Sequence, residues 1–365
     1  MSSILSTPNT STTPDQPGHW VVTKFGTPSV LKWESWDPNS EFSAAKVLIR
    51  VIVAGIAGVD NIQRAGGYPL PQTINPGFTT GYDFVGEIVA LGDSVPRESG
   101  LTVGDRVASV CITGAHATHI VLSYSELIRI ERTDDPVKVA ALPLNYMTAW
   151  GMLKHSGVQL PPGSSILIGS ASGGLGTAVA QLVTAFDMNI KMIGTCSPSK
   201  FNYLRSLGVE PVDRNAPDLV EQVRALTDGE GVDVAYDGVC SEASLQRSLS
   251  ATKADVGRVV VFGVMSEIAA DGSGMQLSVG DILASRLQPR MSFYGVDVLY
   301  SRNAGLADFY GILEKVRSGK LVPVIAKLFR LSEAVEAHEN LISGSIVKGK
   351  MLFIVDADLA AQHDI

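Results

Sequence analysis

Residues Ser165–Gly176, SILIGSASGGLG, constrain this chain more than any other stretch. A short apolar run ends in a glycine-rich turn, after which Leu175, Ala178, Val179, Leu182, Val183 and Phe186 recur at helical spacing on one face. The pattern predicts a buried strand, a tight turn and an amphipathic helix, a geometry that offers bare backbone N–H groups to a pyrophosphate. Ser170, Gly173 and Gly176 keep the three-residue spacing of the dinucleotide fingerprint, with serine where its first glycine usually stands. About 30 residues separate Ile166 from the end of the next strand at Thr195, as a βαβ unit requires. Ser170, Ser172, Gly173, Gly174 and Leu175 are therefore expected cofactor contacts.

The nucleotide is discriminated about 20 residues past the loop, where NAD-dependent proteins place a carboxylate on the ribose 2′-hydroxyl. Here Gly194–Lys200, GTCSPSK, carries none. Cys196, Ser197, Lys200 and Arg214 stand there instead, and the two cations favour NADPH over NADH. Later strand ends supply further expected contacts at Asp237, Gly238, Phe262, Gly263, Phe293 and Tyr294.

The remaining 365-residue chain divides around this stretch. Residues 1–17, rich in Ser, Thr and Pro, read as a disordered tail. Short β-type runs follow, Lys46–Val53, Phe84–Ala90, Asp105–Val110 and His119–Leu122, broken by Gly, Pro and Asp. From about residue 143, strands alternate with helical patterns, as in a parallel sheet. A last portion with helices at Leu306–Val316 and Ser332–Leu341 and a strand at Lys350–Val355 is too short to stand alone, so it is expected to complete the first unit. The fold class is α/β, with a mostly-β unit at 18–142 and 298–365 and an inserted nucleotide unit at 143–297. No apolar run reaches the length of a membrane span, and the start lacks the features of a signal peptide, which predicts a cytoplasmic protein. A net charge of −8 without a basic cluster argues against nucleic acid as a partner. The 3 cysteines are too few and too dispersed for a disulfide framework or a cysteine-rich zinc site.

Val22–Gly26, Val103–Val107, Leu142–Ala149, Ser170–Gly176, Tyr236–Val239 and Gly319–Pro323 together resemble the medium-chain dehydrogenase/reductase superfamily, in its zinc-independent quinone oxidoreductase and enoyl reductase branch. Thr195–Phe201 is also similar to the cofactor segment of fungal enoyl reductases that act with polyketide synthases. The resemblance implies a GroES-like domain, a Rossmann domain binding NADPH, and an active site in the cleft between them. It also matches Lys350 to a basic residue near the cofactor phosphates. Zinc-dependent relatives hold their catalytic metal with two Cys and a His-Glu pair. The corresponding stretches here read Gly55–Asp60 (GIAGVD) and Gly81–Asp83 (GYD), so no catalytic metal is expected.

Reduction of an activated C=C bond needs only hydrogen-bond donors near the carbonyl oxygen, which suits such a site. The implied substrate is an apolar enone, enoyl thioester or quinone, free or carrier-bound. Ala57 and Ile62 occupy places where relatives carry polar residues, which leaves the proton donor open. Thr148, Tyr68 and Tyr294 are the catalytic candidates, with Thr148 favoured because its motif lies beside the nicotinamide in relatives. The competing reading is a nucleotide-binding protein with little catalysis, as in the crystallin and vesicle-associated members of the superfamily. The edge strand Arg290–Gly295 is the expected seam of a homodimer.

Overall fold

A computed structural model describes residues 16–68, 70–295, 305–344 and 348–365. The expected tail, apart from Gln16 and Pro17, lies outside these residues, as does 298–304 of the returning portion. Six parallel strands run in the order Glu210–Asp213, Lys191–Cys196, Ser165–Ile168, Val234–Asp237, Arg258–Val261, Met291–Phe293. Ser165–Ile168 and Val234–Asp237 are buried along their whole length, which explains their unbroken apolar character. The chain order reverses between these two strands, and in open parallel sheets ligands bind outside the carboxyl ends at such a point.

A second, seven-stranded sheet is built from both ends of the chain. Ile325–Arg330 pairs with Lys350–Ile354, which lies antiparallel to Lys46–Ile56. Asp83–Leu91, Arg106–Val110 and Ile128–Ile130 continue the sheet, and His119–Ser123 pairs with Lys46–Ile56. A three-stranded sheet of Leu31–Ser35, Gly18–Val22 and Phe78–Thr79 packs beside it. One apolar core runs through both units, from Ile52, Val53 and Val85 to Leu142, Met147 and the glycine-loop helix.

Strand Ile325–Arg330 and helices Gly58–Arg64, Val279–Arg286 and Ala357–Gln362 have no counterpart among the expected elements. The first helix is the instructive case, because Asp60, Asn61, Gln63 and Arg64 are all buried. No amphipathic stripe marks such a helix, since tertiary hydrogen bonds hold its buried Arg64. Arg64 donates to Asn61 Oδ1 at 2.9 Å, Gly272 O at 3.0 Å, His338 Nδ1 at 3.3 Å and Gly26 O. It thereby pins this helix of the β-unit to a loop of the nucleotide unit. Burial pushes the guanidinium down to about 10, against the pull of Asp60.

Candidate active site

The turn after Ser165–Ile168 is built for close approach. Ser170, in place of the usual glycine, takes a left-handed φ of 54°. A Cβ on Gly176 would stand 2.6 Å from Ala171 Cα and O, so helix and turn pack too closely for a side chain. A Cβ on Gly174 would collide with Asn145 Nδ2 and meet Gly349 O at 3.1 Å, so residues before and after the nucleotide unit both touch this loop. The helix Gly174–Ala185 has Gly173 as N-cap with no side-chain cap. Its first backbone bond is Thr177 N to Gly173 O at 2.9 Å, so the N–H groups of Gly174, Leu175 and Gly176 precede the helical ladder. An uncapped helix start at the end of a parallel strand fits a pyrophosphate.

Cations gather beyond the neighbouring strand Lys191–Cys196. The Lys200 ammonium is pushed below its ordinary range, first by burial and then by Arg214 and Lys348. Three like charges sharing one corner suit the 2′-phosphate that distinguishes NADPH. Sequence reasoning missed Lys348 and took Lys350 two residues on. Gly349, at φ 94°, turns the chain between them. Lys348 therefore stays exposed, with its ammonium 5.6 Å from the centre of the Tyr203 ring.

Lys350 itself is turned inward. Its ammonium is 2% exposed and lies 3.1 and 3.2 Å from the two oxygens of fully buried Asp83. Burial pushes the Asp83 carboxyl up, while Lys350 opposes the shift. Asp237 is buried, and its carboxylate accepts from Val239 N, Cys240 N, Ser244 Oγ and Ser248 Oγ. It organises the turn into helix Glu242–Ala251. The Cys196 thiol is buried and its carbonyl accepts from Arg214 N at 3.0 Å, so neither group is presented to a ligand. Ser197 caps the short turn that carries Lys200. The Phe262 ring lies against Gly238, where a Cβ would stand 2.6 Å away, and a Cβ on Gly263 would meet Gly238 O at 2.7 Å. Phe293 is 39% exposed on the last strand of the sheet.

The three catalytic candidates occupy different settings. Thr148 Oγ1 is buried and has no hydrogen-bond partner among the described residues. It follows the π-helical turn Leu142–Tyr146, a local irregularity common at functional sites. Tyr294 OH packs one turn along the same helix, in the space that a Cβ on Gly151 would fill. Tyr68 packs against the nucleotide-unit core, and its hydroxyl lies 2.7 Å from that of Tyr82. Tyr82 occupies a place where zinc-dependent relatives are expected to carry histidine, and sequence reading did not single out its hydroxyl. Thr148→Val preserves shape while removing the orphaned hydroxyl. Thermal stability is expected to hold or rise, by up to about 1–3 kcal/mol, because an unsatisfied buried group is gone. Nucleotide-dependent turnover is expected to fall. Melting and steady-state assays check both, and unchanged turnover would remove Thr148 from the site.

Among the described residues, no three His, Cys, Asp or Glu side chains are grouped to hold a metal ion. None of the described helices is long and apolar enough to cross a membrane.

A parallel sheet with a glycine loop at its switch point and an N-terminal β-unit closed by the returning chain define the two-part architecture of a nucleotide-dependent oxidoreductase. Residues 43–132 match the alcohol dehydrogenase GroES-like domain family, and residues 174–309 match the zinc-binding dehydrogenase family. The chain belongs to the medium-chain dehydrogenase/reductase superfamily. It is 28% identical over 338 residues to the quinone oxidoreductase of Homo sapiens, covering 92% of this chain and 96% of that relative. A crystal structure of quinone oxidoreductase from Pseudomonas syringae pv. Tomato DC3000 is similar with a TM-score of 0.76 and 28% identity, covering 93% of this chain and 100% of that one. The CurK enoyl reductase is similar with a TM-score of 0.74 and 25% identity, covering 94% and 100% of the respective chains.

Proposed function

We propose that this chain is an NADPH-dependent reductase that acts, without a catalytic metal, on the activated C=C bond of an enone, enoyl thioester or quinone. The observation that carries this reading is the uncapped glycine-loop helix with the cations Lys200, Arg214 and Lys348 gathered beyond the neighbouring strand. The glycine loop would hold the pyrophosphate and the cations the 2′-phosphate. When bound, NADPH supplies the hydride. Charge then gathers on the substrate's carbonyl oxygen, where a neutral donor is sufficient. In this reading Thr148 would orient the reacting groups and Tyr68 would donate a proton. Ile62, Met265 and Met275 form an apolar, adaptable boundary around the helix Gly58–Arg64, which suits apolar substrates.

Thr195–Phe201 supports a finer reading, a carrier-linked enoyl substrate in fungal-type secondary metabolism. Cys111, Cys196 and Cys240 are free and buried, which suits a reducing cytoplasm. The edge position of Met291–Phe293 supports a homodimer, and a single 38.6 kDa unit in light scattering would overturn it.

NADPH consumption against enones, quinones and enoyl thioesters tests the function. Silence across the panel with intact NADPH binding favours the weakly catalytic alternative, which Ala57 supports by offering no polar side chain. Lys200→Ala with Arg214→Ala is expected to weaken NADPH binding by about 10–100-fold, the scale of lost charge-assisted hydrogen bonds, while NADH binding stays within about twofold. Titration of both nucleotides measures the ratio, and an equal loss for each would remove the 2′-phosphate assignment.

A further inference from the structure

The hydroxyls of Tyr68 and Tyr82 are 2.7 Å apart, and their rings meet edge-to-face at 88° with centroids 6.2 Å apart. Either oxygen can be the donor by distance alone, but the surroundings distinguish them. Tyr82 is 4% exposed, and its hydroxyl has no other hydrogen-bond partner among the described residues. A buried O–H must find an acceptor, and for Tyr82 that acceptor is Tyr68 Oη. Tyr68 is only half-buried, so its own O–H can point away from the pair.

The backbone holds both partners in place. Tyr82 O accepts from Cys111 N at 2.9 Å and Ile112 N at 3.3 Å, while Tyr68 O accepts from Thr73 Oγ1 at 2.8 Å and Leu70 N at 3.0 Å.

We propose that Tyr82 is the positioning residue for the proton donor: it donates to Tyr68 Oη, turns the Tyr68 O–H toward the cleft and stabilises the tyrosinate left after transfer. This rests on the reading of Tyr68 as the donor. Once the substrate's β-carbon has received hydride from NADPH, an electron pair is shared between the carbonyl oxygen and the α-carbon. The Tyr68 O–H bond breaks, its proton bonds to the α-carbon, and the negative charge rests on Tyr68 Oη. Solvent water then returns a proton to Tyr68.

The titratable groups facing Tyr82 are Tyr68, Cys111 and Asp60, and burial is the main influence raising Tyr82. Tyr82 therefore remains a donor. Burial also raises Tyr68, and the hydrogen bond from Tyr82 opposes that rise without cancelling it.

Tyr82→Phe removes only the hydroxyl. In the full chain without nucleotide, carbon-13 NMR of ζ-labelled tyrosine is expected to show Tyr68, assigned by its loss in Tyr68→Phe, titrating about one pH unit higher or more. With NADPH and an active enone, kcat is expected to fall about tenfold or more, the alkaline limb to move up in pH, and KM for NADPH to hold. The double variant Y68F/Y82F is expected to be no slower than Y68F alone. If Y68F is slow while Y82F keeps the wild-type titration and kcat, the positioning role is wrong and the donor stands. If Y68F turns over at the wild-type rate, the donor reading itself falls.

Discussion

Lys350→Met is expected to destabilise the protein by about 3–5 kcal/mol, the scale on which one member of a buried ion pair is lost. Neither partner can turn to water instead: Asp83 is fully buried and the Lys350 side chain is 2% exposed. The pair also excludes a side chain nearby, since a Cβ on Gly55 would overlap Asp83 Oδ1 and lie 2.7 Å from Lys350 Nζ. Asp83→Asn is expected to cost a similar amount by leaving the ammonium buried alone. Combining Asp83→Asn with Lys350→Met removes both charges and should recover most of the loss. Urea denaturation of the three variants measures the cycle, and single variants as stable as the wild type would show that the pair is solvated. The damage is expected to reach nucleotide binding, because Asp83 Oδ2 also accepts from Leu144 N at 3.2 Å. That bond anchors the turn carrying Asn145, whose amide abuts the glycine loop.

Gly176→Ala is the second large effect. The added Cβ would meet Ala171 backbone atoms at 2.6–2.8 Å, and backbone cannot swing aside. Stability and NADPH binding are both expected to fall, the latter by about 10-fold or more, because the N–H groups that form the phosphate cradle move with the helix. Gly173→Ala is the control. Its φ of −74° suits alanine, and the nearest atom to the new Cβ is Ser170 O at 3.3 Å. Unaltered stability with weakened binding at Gly173 would place phosphate against that Cα. Calorimetric titration together with melting separates the outcomes, and a Gly176→Ala protein that binds normally would contradict the cradle.

The centre of the parallel sheet was legible because Ser165–Ile168 and Val234–Asp237 are buried along their whole length and write themselves as largely apolar runs. The glycine loop was legible because close approach restricts residue choice. Helix Gly58–Arg64 was hidden because its buried guanidinium, on Arg64, finds partners as distant as Gly272 and His338. Asp237 shows a different limit: position at a strand end does not say whether a carboxylate faces outward or its own following turn. Which of Lys348 and Lys350 faces outward is decided by the turn at Gly349, which spacing does not record. The Tyr68–Tyr82 contact depends on two loops meeting in space, which no spacing records.

The pairing of Lys350–Ile354 with Lys46–Ile56 sets an order in time. At about 5–20 residues per second, synthesis of this chain takes on the order of 20–70 s. Throughout nearly all of that interval the early strand has an open edge, awaiting a partner still to be made. The nucleotide sheet, whose strands all fall between residues 165 and 293, can close first. The unit synthesised first is therefore completed last, and the buried charge on Asp83 meets its counter-ion only after the whole nucleotide unit has been made.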